Sequence, residues 1–172
     1  MRSMAMLYNQ LQSALAGSER IFAVLDVKPA IQDKADAVVL EGVEGRVVFD
    51  HVHFAYEPEK PVLIDVNLDA KRGQTIALVG PTGAGKTTVI SLLSRFYDVS
   101  KGSITVDGRD IRDVTQPSLR EKLGIVLQDS FLFTGTVMEN IRYGRLEATD
   151  EEVIEAACLA NADWFIRRLP QG

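Results

Sequence analysis

The sequence holds one cysteine, Cys158, in 172 residues. An internal disulfide is therefore excluded, and a lone thiol suits a reducing compartment. In its helical surroundings Cys158 reads as a buried core thiol. A basic excess is also lacking: 19 Lys and Arg stand against 24 Asp and Glu, a net charge of -5. That excludes a general polyanion-binding surface. No stretch reaches the roughly 18–20 unbroken apolar residues of a membrane span. Asn9, Gln10, Gln12, Glu19 and Arg20 interrupt the first 25 residues, so these lack the apolar segment of a signal peptide. Any membrane-spanning part is expected outside this chain. Histidine is scarce as well. His51 and His53, two apart on one strand, read as ordinary strand residues, since two ligands do not close a metal site. Internal repeats and low-complexity tracts are absent.

What is present suits one globular domain: 46% hydrophobic and 25% charged residues. Met4, Leu7, Leu11, Ala14, Ser18, Ile21 and Leu25 follow helical spacing and predict an amphipathic helix over the first 25 residues. Its stripe needs a cover, either the domain's own core or the remainder of a longer helix. Residues 46–56, rich in Val, Phe and His, and residues 62–68 predict two antiparallel strands around the turn prolines Pro58 and Pro61. Residues 74–79 contain the continuous apolar run Ile76-Ala77-Leu78-Val79, which predicts a strand covered on both faces in a parallel sheet. Residues 86–97 carry apolar residues at helical spacing. Residues 102–107 predict a strand ending in the hairpin signal Asp107-Gly108. A short helix is expected at 119–123 and a short strand at 124–127. From Val137 onward the chain reads as helical, with Asp150, Glu151 and Glu152 charging a helix N-terminus.

Between the apolar run and the helix lies Gly80-Pro81-Thr82-Gly83-Ala84-Gly85-Lys86-Thr87, which fits G-x-x-x-x-G-K-[ST]. A triphosphate is a dense anion that needs many donors at close range. Glycines let backbone N–H groups approach it, and the following helix aims its amides and dipole at it. Lys86 adds a cation for the terminal phosphates, and Thr87 offers a hydroxyl to Mg²⁺. The order of glycines disfavours a dinucleotide loop, which needs G-x-G-x-x-G. A GTPase would need D-x-x-G and N-K-x-D, and neither occurs in these residues. A nucleotide kinase would lack the two strands that precede the loop here.

These segments together resemble the nucleotide-binding domain of ABC transporters. The resemblance runs through Val52-His53-Phe54-Ala55-Tyr56, the loop from Gly80 to Thr88, Ile125-Val126-Leu127-Gln128-Asp129 and the stretch at 131–141. Residues 13–22 are similar to the helix that leaves the last membrane span in bacterial exporters of the lipid-flippase and multidrug type. The implied fold is α/β: a P-loop core with a parallel sheet, an antiparallel β subdomain and a partial helical subdomain. The implied organisation is a helix at 1–26 continuing from a transmembrane domain, a linker at 27–45, and the N-terminal, incomplete part of the ATP-binding domain at 46–172.

The implied function is ATP binding and hydrolysis coupled to export, on the cytoplasmic face of the cell membrane. A soluble non-transport ABC-type ATPase and a catalytically incomplete ATP-binding fragment remain as alternatives. ATP and Mg²⁺ are the implied ligands, held by Tyr56, Gly80, Pro81, Thr82, Gly83, Ala84, Gly85, Lys86, Thr87, Thr88 and Gln128. Tyr56 would stack on adenine, while Thr87 and Gln128 would serve the metal. Gln128 would also meet the attacking water, so only Lys86 and Gln128 carry catalytic roles. Phe131 and Phe133 anchor a membrane domain or pack in the core. A second ATP-binding domain, identical or related, would complete a sandwich around two ATP molecules. The family's Asp-Glu strand end, signature loop and late histidine are expected downstream, so no general base is assigned. Asp50 and Asp107 also end apolar runs, but they read as a strand exit and a turn. An isolated 172-residue piece is expected to be marginally stable and prone to aggregate.

Overall fold

Alternating Val, Phe and His side chains form β1 (Val47–Glu57) in the computed structural model, which describes residues 2–169. A two-residue turn at Pro58 and Glu59 returns the chain as β2 (Lys60–Ala70). Pro61 is tolerated because β2 is the outer strand of a four-stranded antiparallel sheet ordered β2-β1-β3-β4. β3 (Lys101–Val106) and β4 (Arg109–Asp110) meet at the expected hairpin, where Asp107 and Gly108 take φ of 50° and 82°. Positive φ at both central residues matches the right-handed twist of the flanking strands. The Asp107 carboxylate accepts N–H bonds from Glu44, Gly45 and Arg46. Burial raises this carboxyl, but the three donors outweigh it and hold Asp107 below the usual carboxylate range.

The alternation of β1 breaks at one place. Phe49 and Val52 are both buried although three residues apart, because His51 is an extra residue in the left-handed region, at φ 47°. Strand β2 carries a matching irregularity at Asp65, φ 54°, which restores the register: Phe49 faces Leu68, Val52 faces Val66 and Phe54 faces Leu63. On the other side of β1, Gly102 is required. A Cβ there would lie 2.2 Å from the His51 carbonyl oxygen. His51 and His53 therefore do not simply alternate on one face. His51 Nδ1 lies 2.6 Å from Asp65 Oδ1, and that hydrogen bond, with the Asp65 and Asp50 charges, raises the imidazole above its ordinary pKa.

The sheet packs one face on α2 (Lys86–Leu93) and α3 (Gln116–Glu121), burying Phe49, Val52, Phe54, Leu63, Val89, Leu92, Ile104 and Leu119. α3 begins earlier than expected because Pro117 suits a first helical turn and cannot sit inside one. The segment expected as a linker docks on this core. Leu40 is buried, its N–H donates to Ser118 Oγ, and Val38 forms a parallel bridge with Val114. Asp33 accepts from the Gln116 N–H, supplying the N-terminal acceptor that Thr115 does not.

Two expectations differ from the structure. Residues 74–79 and 124–127 form no strand among the described residues, and Val79 and Val126 are 93% and 98% exposed. A strand exists only through its neighbours, and the sheet described here offers these runs none. The first helix, α1 (Arg2–Leu25), forms as expected, but every described side chain on it is exposed. The described part of its apolar stripe, Leu11, Ala14, Ile21 and Leu25, does not pack on the core of its own unit.

The chain divides between residues 124 and 125 into two units. The second holds α4 (Val137–Arg142), α5 (Asp150–Leu159) and α6 (Asp163–Ile166). Thr136 with Glu139, and Thr149 with Glu152, form capping boxes that start α4 and α5. α5 buries Val153 and Ala157, four residues apart on one face. Cys158 lies roughly 100° round the helix from Ala157 and is exposed, correcting the buried thiol read from sequence.

Candidate functional site

The glycine loop crosses from residue 80 to the start of α2 in two left-handed steps, Gly83 at φ 86° and Gly85 at φ 84°. Side chains disfavour that region. Gly85 has a second reason to be glycine. A Cβ there would lie 2.6 Å from Leu63 Cδ2 and 3.5 Å from both Val62 Cγ1 and the Val62 carbonyl oxygen. The loop is thus pressed against β2, and no side chain caps the first turn of α2. Its first amides and the positive end of its dipole remain available to an anion. Lys86 folds back across the loop, and its Nζ donates to the Gly80 and Pro81 carbonyls at 2.8 Å each. Thr87 is exposed at the first turn of the helix.

Thr88, next along, is buried and points the other way. Its hydroxyl lies 3.2 Å from the Tyr56 hydroxyl, which links the end of β1 to the first turn of α2. Tyr56 is 51% exposed and stands edge-to-face with two rings, Phe54 at 4.8 Å and Tyr97 at 5.1 Å. The first unit therefore brings together the glycine loop, Lys86, Thr87, Thr88 and a half-exposed aromatic ring. Gln128 is exposed and belongs to the second unit. In that unit Phe131 and Phe133 are exposed, packing edge-to-face at 5.2 Å. Asn140 staples this stretch: its side chain accepts from the Phe133 N–H and donates to the Phe133 and Thr136 carbonyls.

The arrangement suits a polyphosphate ester of a flat base. Uncapped amides and one ammonium group converge where phosphates would lie, and an aromatic ring stands beside the same helix. Sequence reasoning missed Tyr97, having assigned 86–97 to one helix. Arg95 at φ 51° ends that helix without a glycine or proline to announce it, and so turns Tyr97 back toward Tyr56.

A family model described as "ABC transporter" matches residues 63–171. A fatty acid ABC transporter ATP-binding/permease protein of Mycobacterium tuberculosis is 50% identical over 169 residues, 98% of this chain and 26% of the relative. The ATP-dependent lipid A-core flippase of Syntrophus aciditrophicus is 44% identical over 164 residues, 95% of this chain and 27% of the relative. Among solved structures, a bacterial Atm1-family ABC exporter with ATP bound matches at a TM-score of 0.87 and 42% identity, covering 97% of this chain and 30% of that one. The chain spans about a quarter of the length of these curated relatives.

Proposed function

The chain belongs to the ABC transporter family, as part of its ATP-binding P-loop domain, and from that premise we propose that the protein carrying it couples ATP binding and hydrolysis to export across a membrane. The observation that carries this reading is the loop from Gly80 to Thr87. It is uncapped, pressed on β2 through Gly85 and crossed by Lys86. In the proposed site the loop amides and Lys86 hold the phosphates, and Tyr56 receives the adenine. Thr88, with Pro81, Thr82 and Ala84, completes the wall.

The residues of the first unit also fit Mg²⁺, which takes oxygen ligands: the exposed Thr87 hydroxyl would hold it. Held by Thr87, Mg²⁺ would supply positive charge to offset the negative charge that develops during phosphoryl transfer. Lys86 would exchange its two carbonyl partners for phosphate oxygens, so the ammonium group is already aimed into the loop.

The export reading is supported by relatives named as ATP-binding/permease proteins, which align with nearly the whole chain, α1 included. In this reading residues 1–26 continue a transmembrane domain and 27–45 join it to the ATP-binding domain at 46–172. Phe131 and Phe133 would face the membrane domain, on the cytoplasmic side, and a second ATP-binding domain would close on the first.

The decisive experiment replaces Lys86 by Ala in the intact protein and titrates Mg-ATP calorimetrically. Loss of a charge-assisted contact predicts affinity lower by roughly 10- to 100-fold, with ATP hydrolysis falling in parallel. Unchanged affinity would refute the loop as the phosphate site.

A further inference from the structure

We propose that Tyr97 is a positioning residue for adenine recognition, fixing the pose of the Tyr56 ring; this rests on the reading of Tyr56 as the base platform. A half-exposed tyrosine at a strand end is free to change rotamer, and immobilising it on binding costs affinity. Three contacts restrain Tyr56 in advance: the Phe54 ring at 4.8 Å, the Tyr97 ring at 5.1 Å and the Thr88 hydroxyl at 3.2 Å. Phe54 belongs to the sheet core, buried at 5% exposure, and precedes Tyr56 on the same strand. It cannot report where the phosphates lie. Thr88 and Tyr97 can, because both are tied to α2, one in its first turn and the other just past its end.

The place of Tyr97 is itself well determined. Arg95, in the left-handed region, turns the chain after α2. Its guanidinium is bound by Asp98 one residue beyond Tyr97, by Asp33, and by the Gln32 and Val114 carbonyls. Phe96 N–H returns to the Ser91 carbonyl at 3.0 Å. Tyr97 thus stands on a braced turn, and its ring also meets Phe54 at 5.6 Å. Its hydroxyl makes no hydrogen bond among the described residues, so the ring alone acts. The result is a base platform indexed to the phosphate helix: the distance between adenine and triphosphate is set by one rigid element.

The test titrates the intact protein with ATP and, separately, with inorganic tripolyphosphate, which has no base. Wild type, Tyr97→Leu, Tyr97→Phe and Tyr56→Leu are compared. Losing an aromatic pair predicts ATP affinity about three- to tenfold weaker in Tyr97→Leu, with tripolyphosphate affinity unchanged. Tyr97→Phe keeps the ring and retains wild-type affinity for both. If Tyr56→Leu weakens ATP selectively but Tyr97→Leu does not, the proposal is overturned and the platform stands. If Tyr56→Leu spares ATP, the platform reading itself falls, and the proposal with it. Equal weakening of both ligands in Tyr97→Leu would assign Tyr97 to the fold instead and overturn the proposal. Should Tyr97→Leu not fold, the same titrations on Tyr97→Met decide between these outcomes.

Discussion

Gly85 carries two constraints that can be separated by experiment. Its left-handed φ penalises any side chain by roughly 1–2 kcal/mol, and its approach to Leu63 adds a steric cost. Gly108, at φ 82°, has the first constraint without the second, since a Cβ there would meet nothing within 4 Å. Gly85→Ala is therefore expected to destabilise the protein by roughly 2–4 kcal/mol, clearly more than Gly108→Ala. Urea denaturation of the two variants checks this. Equal losses would mean that Leu63 yields and that the loop is not braced on β2. The glycine turn and the start of α2 at Lys86 were legible in the sequence, because a left-handed step at Gly83 and Gly85 has a local reason in the residue type. The Tyr56–Thr88–Tyr97 arrangement was not. It joins residues 32 and 41 positions from Tyr56, and nothing local marks the end of α2 at Ser94 and Arg95.

At the scale of elements, the antiparallel strands, the Asp107-Gly108 hairpin and the helices α1, α2 and α5 follow from periodicity and turn chemistry. The strap at 31–40 does not, because its value lies in partners far along the chain. Arg95 shows why. Only 1% exposed, it is held by Asp33 and Asp98 and donates to the Gln32 and Val114 carbonyls, so one side chain joins the strap, the end of α2 and the start of α3. Arg120 reinforces this point, donating to the Ser94 and Arg95 carbonyls at the negative end of α2. Arg95→Met would take the guanidinium donor from two carbonyls and two carboxylates, although Asp33 keeps the Gln116 N–H and both carboxylates keep some solvent. A loss on the order of 3 kcal/mol is expected. Asp33→Ala removes only the long-range cap and one charge, so about 1–2 kcal/mol is expected, together with faster amide exchange at Gln116. Denaturant titration and hydrogen exchange measure both. If Arg95→Met stays within about 1 kcal/mol of wild type, the strap is not held as described.

Over the whole molecule, the apolar runs at 76–79 and 125–127 decide how the 172-residue chain behaves in solution. Both have the composition of strands covered on two faces, yet neither has a ladder here. Val79, Val126 and Leu127 are 93%, 98% and 67% exposed. Such segments present apolar side chains together with backbone N–H and C=O groups that have no ladder partner among the described residues, which is a template for pairing with another chain. A net charge of -5 gives little repulsion to oppose this, and salt screens it further. The isolated chain is therefore expected to self-associate with rising concentration and salt and to bind a hydrophobic dye. Its thermal unfolding should be irreversible. Sedimentation velocity across a concentration series is the direct measurement. A monodisperse monomer with a reversible, cooperative melt would show that these two runs find cover within the chain. Glu at Val79 and Val126 separates the causes: association driven by the exposed runs should fall in the double variant, whereas association through the exposed stripe of α1 should persist.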